Sequence, residues 1–163
     1  MSSINDFTTL FSDVWHQGIF GINASEIIVG LIIFLFFYVL RRLFARLIIG
    51  RLRKIVLKSK TSIDDTIVDV IEGPLKFFPV VIGFFIASSY VDFSSEVQNF
   101  VDLFNRTLIT IFIFWLLHQL IVPFAFLIKS FEEKLTTALV DWTLKGLKII
   151  VIILGVVAIL ELW

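Results

Sequence analysis

Apolar positions fill this chain in four long runs, and short polar stretches separate them. The first run, Ile27–Leu40, holds fourteen residues without a charge. It follows "NASE", where Asn23 or Ser25 suits an N-cap and Glu26 falls in the first turn. A membrane span needs about 20 residues. The helical pattern supplies them by continuing through "RRLFARLIIGRLRKIVLKSK", because arginine stems stay in the apolar layer while their heads reach water. The pattern therefore predicts one helix over about 25–59 that leaves the bilayer near Arg46.

A second helix begins within "TSIDDTIVDVIEGPLKFFP" (Thr61–Pro79) and runs to about Tyr90. Gly73, Pro74 and Pro79 interrupt it and predict a bend. After the polar turn "VDFSSE", a third helix covers about 97–129; its apolar part, Leu108–Ile128, is broken by His118, Gln119 and Pro123. The charged turn "KSFEEKLTT" leads into a fourth helix over about 136–162. The expected fold is an all-α integral membrane protein with four spans in two tandem helical hairpins. Its segments are an N-terminal interfacial stretch (1–24, with Trp15 at headgroup level), a first hairpin (25–90), a turn (91–96) and a second hairpin (97–163).

Composition strengthens this picture. The chain is 58% hydrophobic, against about 45–50% for soluble domains. Lysines and arginines equal aspartates and glutamates at 14 each, so nothing favours a nucleic-acid partner. There is no cysteine, which removes disulfides and thiolate metal sites, and the two histidines, His16 and His118, have no ligand spacing. No metal site or cofactor is expected. "MSSINDFTTLFSDVW" lacks a basic n-region, so no cleavable signal is expected. Residues 41–60 carry eight Lys/Arg and no acid, whereas 91–96 carry two acids and no base. The positive-inside rule then puts 41–60 and 129–134 in the cytoplasm and the N-terminus outside.

The second and fourth helices echo one another at an offset of 72 residues. "IVDVIEGPLKFFPVVIGFFIAS" (Ile67–Ser88) lies over "LVDWTLKGLKIIVIILGVVAIL" (Leu139–Leu160), matching Val68-Asp69 with Val140-Asp141, Leu75-Lys76 with Leu147-Lys148, and Gly83 with Gly155. Such a repeat implies two similar hairpins packed side by side.

The charged positions admit more than one role. Thr61 or Ser62 can cap the second helix, with Asp64 and Asp65 in the first turn, where carboxylates complement the dipole. Alternatively these acids pair with Lys58 and Lys60. On a helical projection Arg42, Arg46, Arg53 and Lys60 fall within about 40°, and Arg51, Lys54 and Lys58 form a second stripe. With Arg41, these cations form either a solvated face or a row on anionic lipid headgroups, at about 1 kcal/mol each. Gly73, Pro74 and Pro79 are the candidate hinge, and Gly83 and Gly155 the candidate close-packing points. His118 and Gln119 suit an interhelical hydrogen bond or a proton relay. No phosphate-binding loop, zinc-hydrolase motif or catalytic triad is present, so an enzyme is not expected.

"TSIDDTIVDVIEGPLKFFPVVIG" with "LTTALVDWTLKGLKIIVIILGVVAILELW" resembles the membrane region of the small-conductance mechanosensitive channel (MscS-like) family. Thr61, Asp64 and Asp65 match its T-x-x-D-D helix start, and Gly155–Leu160 is similar to the stretch before its pore helix. The resemblance covers about 25–163. It implies a tension-gated heptamer in a bacterial inner membrane, osmotic protection, partners that are membrane lipids and identical subunits, and a lipid-facing sensor paddle. That family continues with a Gly/Ala-rich pore helix and a cytoplasmic β-domain. Neither is found in this chain, so a piece of a longer subunit is expected. A small multipass transporter or permease subunit using His118 and Gln119 is the alternative, and a structural membrane adaptor the third reading.

Overall fold

A computed structural model describes residues 23–56, 63–129 and 137–163, with side chains described except at 52–56, 63–67, 122, 124–129 and 137. The interfacial stretch expected over 1–24 therefore lies almost wholly outside the described residues, as do Lys58, Lys60, Thr61 and Ser62. The described chain is helical, without strands. Helix α1 spans Ala24–Val56, α2 Ile63–Tyr90, α3 Ser95–Lys129 and α4 Thr137–Leu162. All four are long and apolar enough to cross a membrane. This is the all-α, four-span architecture that the hydrophobic pattern predicts. In hydrocarbon, a helix satisfies its own backbone donors and acceptors, so runs of this length have no other stable form.

Local chemistry sets the helix starts. The Asn23 carbonyl accepts from the Glu26 and Ile27 amides, at 2.9 and 3.3 Å, which places Asn23 at the N-cap of α1. Its side chain does not accept from the helix as a usual cap does. Instead the Asn23 amide donates to Glu26 Oε1 at 2.7 Å. The Ser94 carbonyl begins α3 by accepting from the Gln98 amide at 2.8 Å. Hydroxyls inside the apolar helices are satisfied by their own backbone: Ser89 donates to Phe85 O, Thr107 to Leu103 O and Thr110 to Arg106 O, all at 2.8–2.9 Å.

Both α2 and α3 continue through their prolines, Pro74 and Pro79 in one and Pro123 in the other. Each proline removes the ladder bond to the carbonyl four residues earlier. Each is also buried, so the rings help fill the helix contacts.

The helices lie in an open row. Among the described residues α1 packs on α2, α2 on α3 and α3 on α4, while α1 meets neither α3 nor α4. α2 and α3 each have a neighbour on both sides among the described residues, and the apolar segment of α2 is the most buried of the four. Two glycines mark close approaches. A Cβ added at Gly83 of α2 would overlap Phe37 Cβ of α1, and one added at Gly155 of α4 would lie 3.0–3.1 Å from Phe114 Cγ and Cβ of α3. These glycines are one offset of 72 residues apart, and each receives a phenylalanine from the helix before it.

Candidate membrane-contact surface

Ring and glycine contacts fix how high each residue stands in the row. Between α1 and α2, Phe34 meets Phe84 and Phe44 meets Phe78. Between α2 and α3, Phe84 meets Phe104, Phe78 meets Phe112 and Phe77 meets Trp115, with centroids 5.0–5.7 Å apart. Between α3 and α4, Phe114 lies on Gly155 and Thr107 on Trp163. Counting along each helix from these pairs places Arg42 and Arg46 of α1, Glu72 and Lys76 of α2, His118 of α3 and Lys148 of α4 within about 10 Å of one level. We term this the basic end. The other end, near residues 91–94, is the turn end.

Between them lies a band with almost no charge. Residues 27–40 of α1, 77–90 of α2 and 149–160 of α4 carry none, and on α3 only Arg106 interrupts the stretch from Leu103 to Leu117. At 1.5 Å per residue these stretches measure about 18–22 Å. Flanking arginines and lysines can extend that toward the ~30 Å of a bilayer core by laying their stems along the helices. Large side chains stay exposed across the band, including Leu31, Phe36 and Val39 on α1 and Ile152, Val156 and Leu160 on α4. On a water-soluble protein this surface would aggregate; here its solvent is lipid.

The cations of α1 stand at the edge of this band. Arg42, Arg46 and Arg51 are exposed. The Arg41 guanidinium lies 3.9 Å from the centre of the Tyr38 ring, a cation–π contact that holds it beside an interfacial aromatic. The side chains of Arg53, Lys54, Asp64 and Asp65 lie outside the described set. The described ion pair of this region is Lys76 with Glu72, one helical turn apart on α2 and largely exposed. Gly73 faces the Trp115 indole, where a Cβ would stand 3.1 Å from the ring, so the candidate hinge is also a helix contact. His118 and Gln119 are half-buried at the basic end. Among the described residues no cluster of His, Asp or Glu has the geometry to hold a metal ion.

Three polar contacts escaped sequence reasoning, and all stand near the turn end. Glu26 Oε2 accepts from the Asp92 amide at 3.0 Å, joining the start of α1 to the turn after α2. The buried Asn105 amide of α3 donates to Ser88 Oγ of α2 at 3.0 Å, and Ser88 Oγ donates to Phe85 O at 3.0 Å. Asn105 Oδ1 is buried without a partner. Trp163 Nε1 donates to Thr107 Oγ1 at 3.1 Å while its ring stacks edge-on with Phe100. An asparagine amid an apolar helix was the available signal for the second contact.

The chain is similar to two curated proteins. It is 31% identical to an uncharacterized MscS family protein of Aquifex aeolicus (strain VF5), over 88% of this chain and 39% of that relative. It is 29% identical to the uncharacterized MscS family protein YhdY of Bacillus subtilis (strain 168), over 82% of this chain and 37% of that relative. The chain thus spans under two-fifths of the length of these relatives. No family model matches it, and no solved structure matches it significantly. Its four apolar helices align over most of this chain with these sequences, so the chain is similar to a membrane-spanning part of MscS family proteins.

Proposed function

We propose that this chain is the tension-sensing paddle of a mechanosensitive channel subunit, passing bilayer tension to a pore helix outside it. The observation that carries this reading is the open row. Among the described residues, helices α1 and α4 each pack on one neighbour and turn much of their apolar surface outward. A row held this way can change its area and tilt in the membrane without breaking a closed core. Tension favours whichever state occupies more area, and the shift in population equals the difference in how the two states interact with the bilayer.

In this reading the arginines of α1 hold the cytoplasmic headgroup plane, and the N-terminus lies outside. The Gly73/Pro74/Pro79 segment yields as α2 changes tilt, and Gly83 and Gly155 keep each hairpin closed while it moves. Asp64 and Asp65 cap α2 or pair with Lys58 and Lys60. The partners are membrane lipids and identical subunits, seven by family resemblance. No enzymatic role is proposed.

The test is patch recording from the full-length subunit. Neutralising Arg42, Arg46 and Arg53 together shifts the tension at which the channel opens. An unchanged threshold refutes the lipid anchor. Solute flux that requires His118 and Gln119 and ignores tension would favour a transporter instead.

A further inference from the structure

The outward face of α3 changes character at one residue. Asn99, Asp102, Arg106, Ile109, Ile113 and Leu117 follow one another at helical spacing, so they form a single stripe, and all are exposed. Up to Arg106 the stripe is polar, and beyond it the stripe is apolar. The Arg106 guanidinium has no ion pair among the described residues, and Asp102, one turn away, accepts from Gln98. Trp163 of α4 stands at this boundary through its bond to Thr107, with Glu161 two residues before it.

The first hairpin differs at the same height. The stack of Phe34, Phe84 and Phe104 brings Leu31 of α1 level with Asp102 of α3. There α1 exposes Leu31 and Ile32. The first hairpin turns polar only where Glu26 accepts from the Asp92 amide, about 15 Å nearer the turn end than Arg106.

The opposite edge of the uncharged band shifts in the same direction. Arg41 closes it on α1 and Lys148 on α4, while on α3 apolar residues continue past His118 and Gln119 to Ile128. The stack of Phe44, Phe78 and Phe112, with Phe114 on Gly155, sets Lys148 about 15–18 Å farther from the turn end than Arg41. Glu26 and Glu161 close the other edge on the same two helices and differ by about 15–20 Å, again with α4 farther from the turn end. A thinned or wedged bilayer moves two edges in opposite directions. Edges that move together belong to helices that cross an even bilayer at a slant, because each keeps its apolar stretch in hydrocarbon and its charges among headgroups.

We infer that the row crosses the bilayer obliquely, inclined along its own width, and that Arg106 binds lipid phosphate in the turn-end leaflet. Three helix spacings of about 8–10 Å against this drop give an inclination of roughly 30–35°, within the range of natural spans. Trp163 supplies an interfacial aromatic beside the arginine, whose paired N–H donors suit a phosphate. The inclination rests on membrane insertion alone and holds whether or not the helices sense tension.

This chain has no cysteine, so single nitroxide labels can be placed freely on it. In the full-length protein in nanodiscs, labels replace Leu31 or Asp102, which share one height, and Leu47 or Ile152, which share another. All four positions are exposed. Collision with oxygen, which concentrates in hydrocarbon, and with a water-soluble nickel complex reads the depth of each. Oxygen should dominate at Leu31 and Ile152 and nickel at Asp102 and Leu47, with about 10–15 Å between the depths of each pair. Equal depths within either pair describe an upright row and overturn the inference. In a second arm the label replaces Ile109, one turn inside Arg106. R106L should move the polar boundary back to Asp102 and deepen this label by about 6 Å, whereas R106K should leave it in place. A label no deeper in R106L overturns the phosphate contact and leaves the inclination standing.

Discussion

Replacing Gly83 with alanine tests the packing of the first hairpin. The new methyl would overlap Phe37 Cβ, which is bonded to the backbone of α1 and moves with no rotamer. Either α1 backs away or α2 rotates, and overpacking of this kind costs about 1–3 kcal/mol. Against it stands the better helix propensity of alanine, about 1 kcal/mol. The net expectation for Gly83→Ala is a loss of about 0–2 kcal/mol. The internal control is Gly50→Ala, since nothing lies within 4 Å of a Cβ there and only the propensity gain remains. Thermal unfolding in mild detergent reads the difference, at about 2–4 °C per kcal/mol for a chain of this size. Gly83→Ala should melt at or below the parent and Gly50→Ala at or above it. If the two variants melt together, the close approach of α1 and α2 at Phe37 is refuted.

Three further outcomes follow from the same contacts. Ser88→Ala should cost about 1–3 kcal/mol by leaving the buried Asn105 amide unsatisfied, while S88A/N105L, which removes both partners, should recover most of that loss in the same melt. Trp163→Phe keeps the ring against Phe100 and loses the bond to Thr107, so the melt should fall by only about 0.6–2 kcal/mol, the range for interhelical hydrogen bonds in membranes. Arg42→Gln and Arg46→Gln should each weaken binding to anionic vesicles by roughly 1 kcal/mol, an effect that fades in high salt.

The helices were legible because a bilayer leaves so few choices. A long apolar run must be helical, so α2 and α4 end at Tyr90 and Leu162, where the pattern puts them. Their neighbours were harder to read. Gly83 and Gly155 stand out in sequence as places where helices can approach, yet nothing in sequence pairs them with Phe37 and Phe114, because that depends on how far each hairpin slides before it locks. The same holds for Asn105, whose partner Ser88 lies across an interface set by the rings of Phe84 and Phe104. His118 and Gln119 drew attention as polar residues in an apolar run, but the height of α3 against α2 puts them at the basic end. Asn23 holds its expected place at the start of α1 and uses its side chain the other way, as a donor to Glu26, because that carboxylate is also held by the Asp92 amide.

The row also has a consequence for biosynthesis. Among the described residues each helix packs on the one made just before it, and α1 contacts neither α3 nor α4. A closed bundle waits for its last helix before its first can settle. Here α2 can lock onto α1 through Gly83 as soon as it enters the bilayer, and α3 and α4 can follow in turn. Contacts close in sequence favour rapid assembly, and no intermediate along this route leaves a helix stranded without its partner.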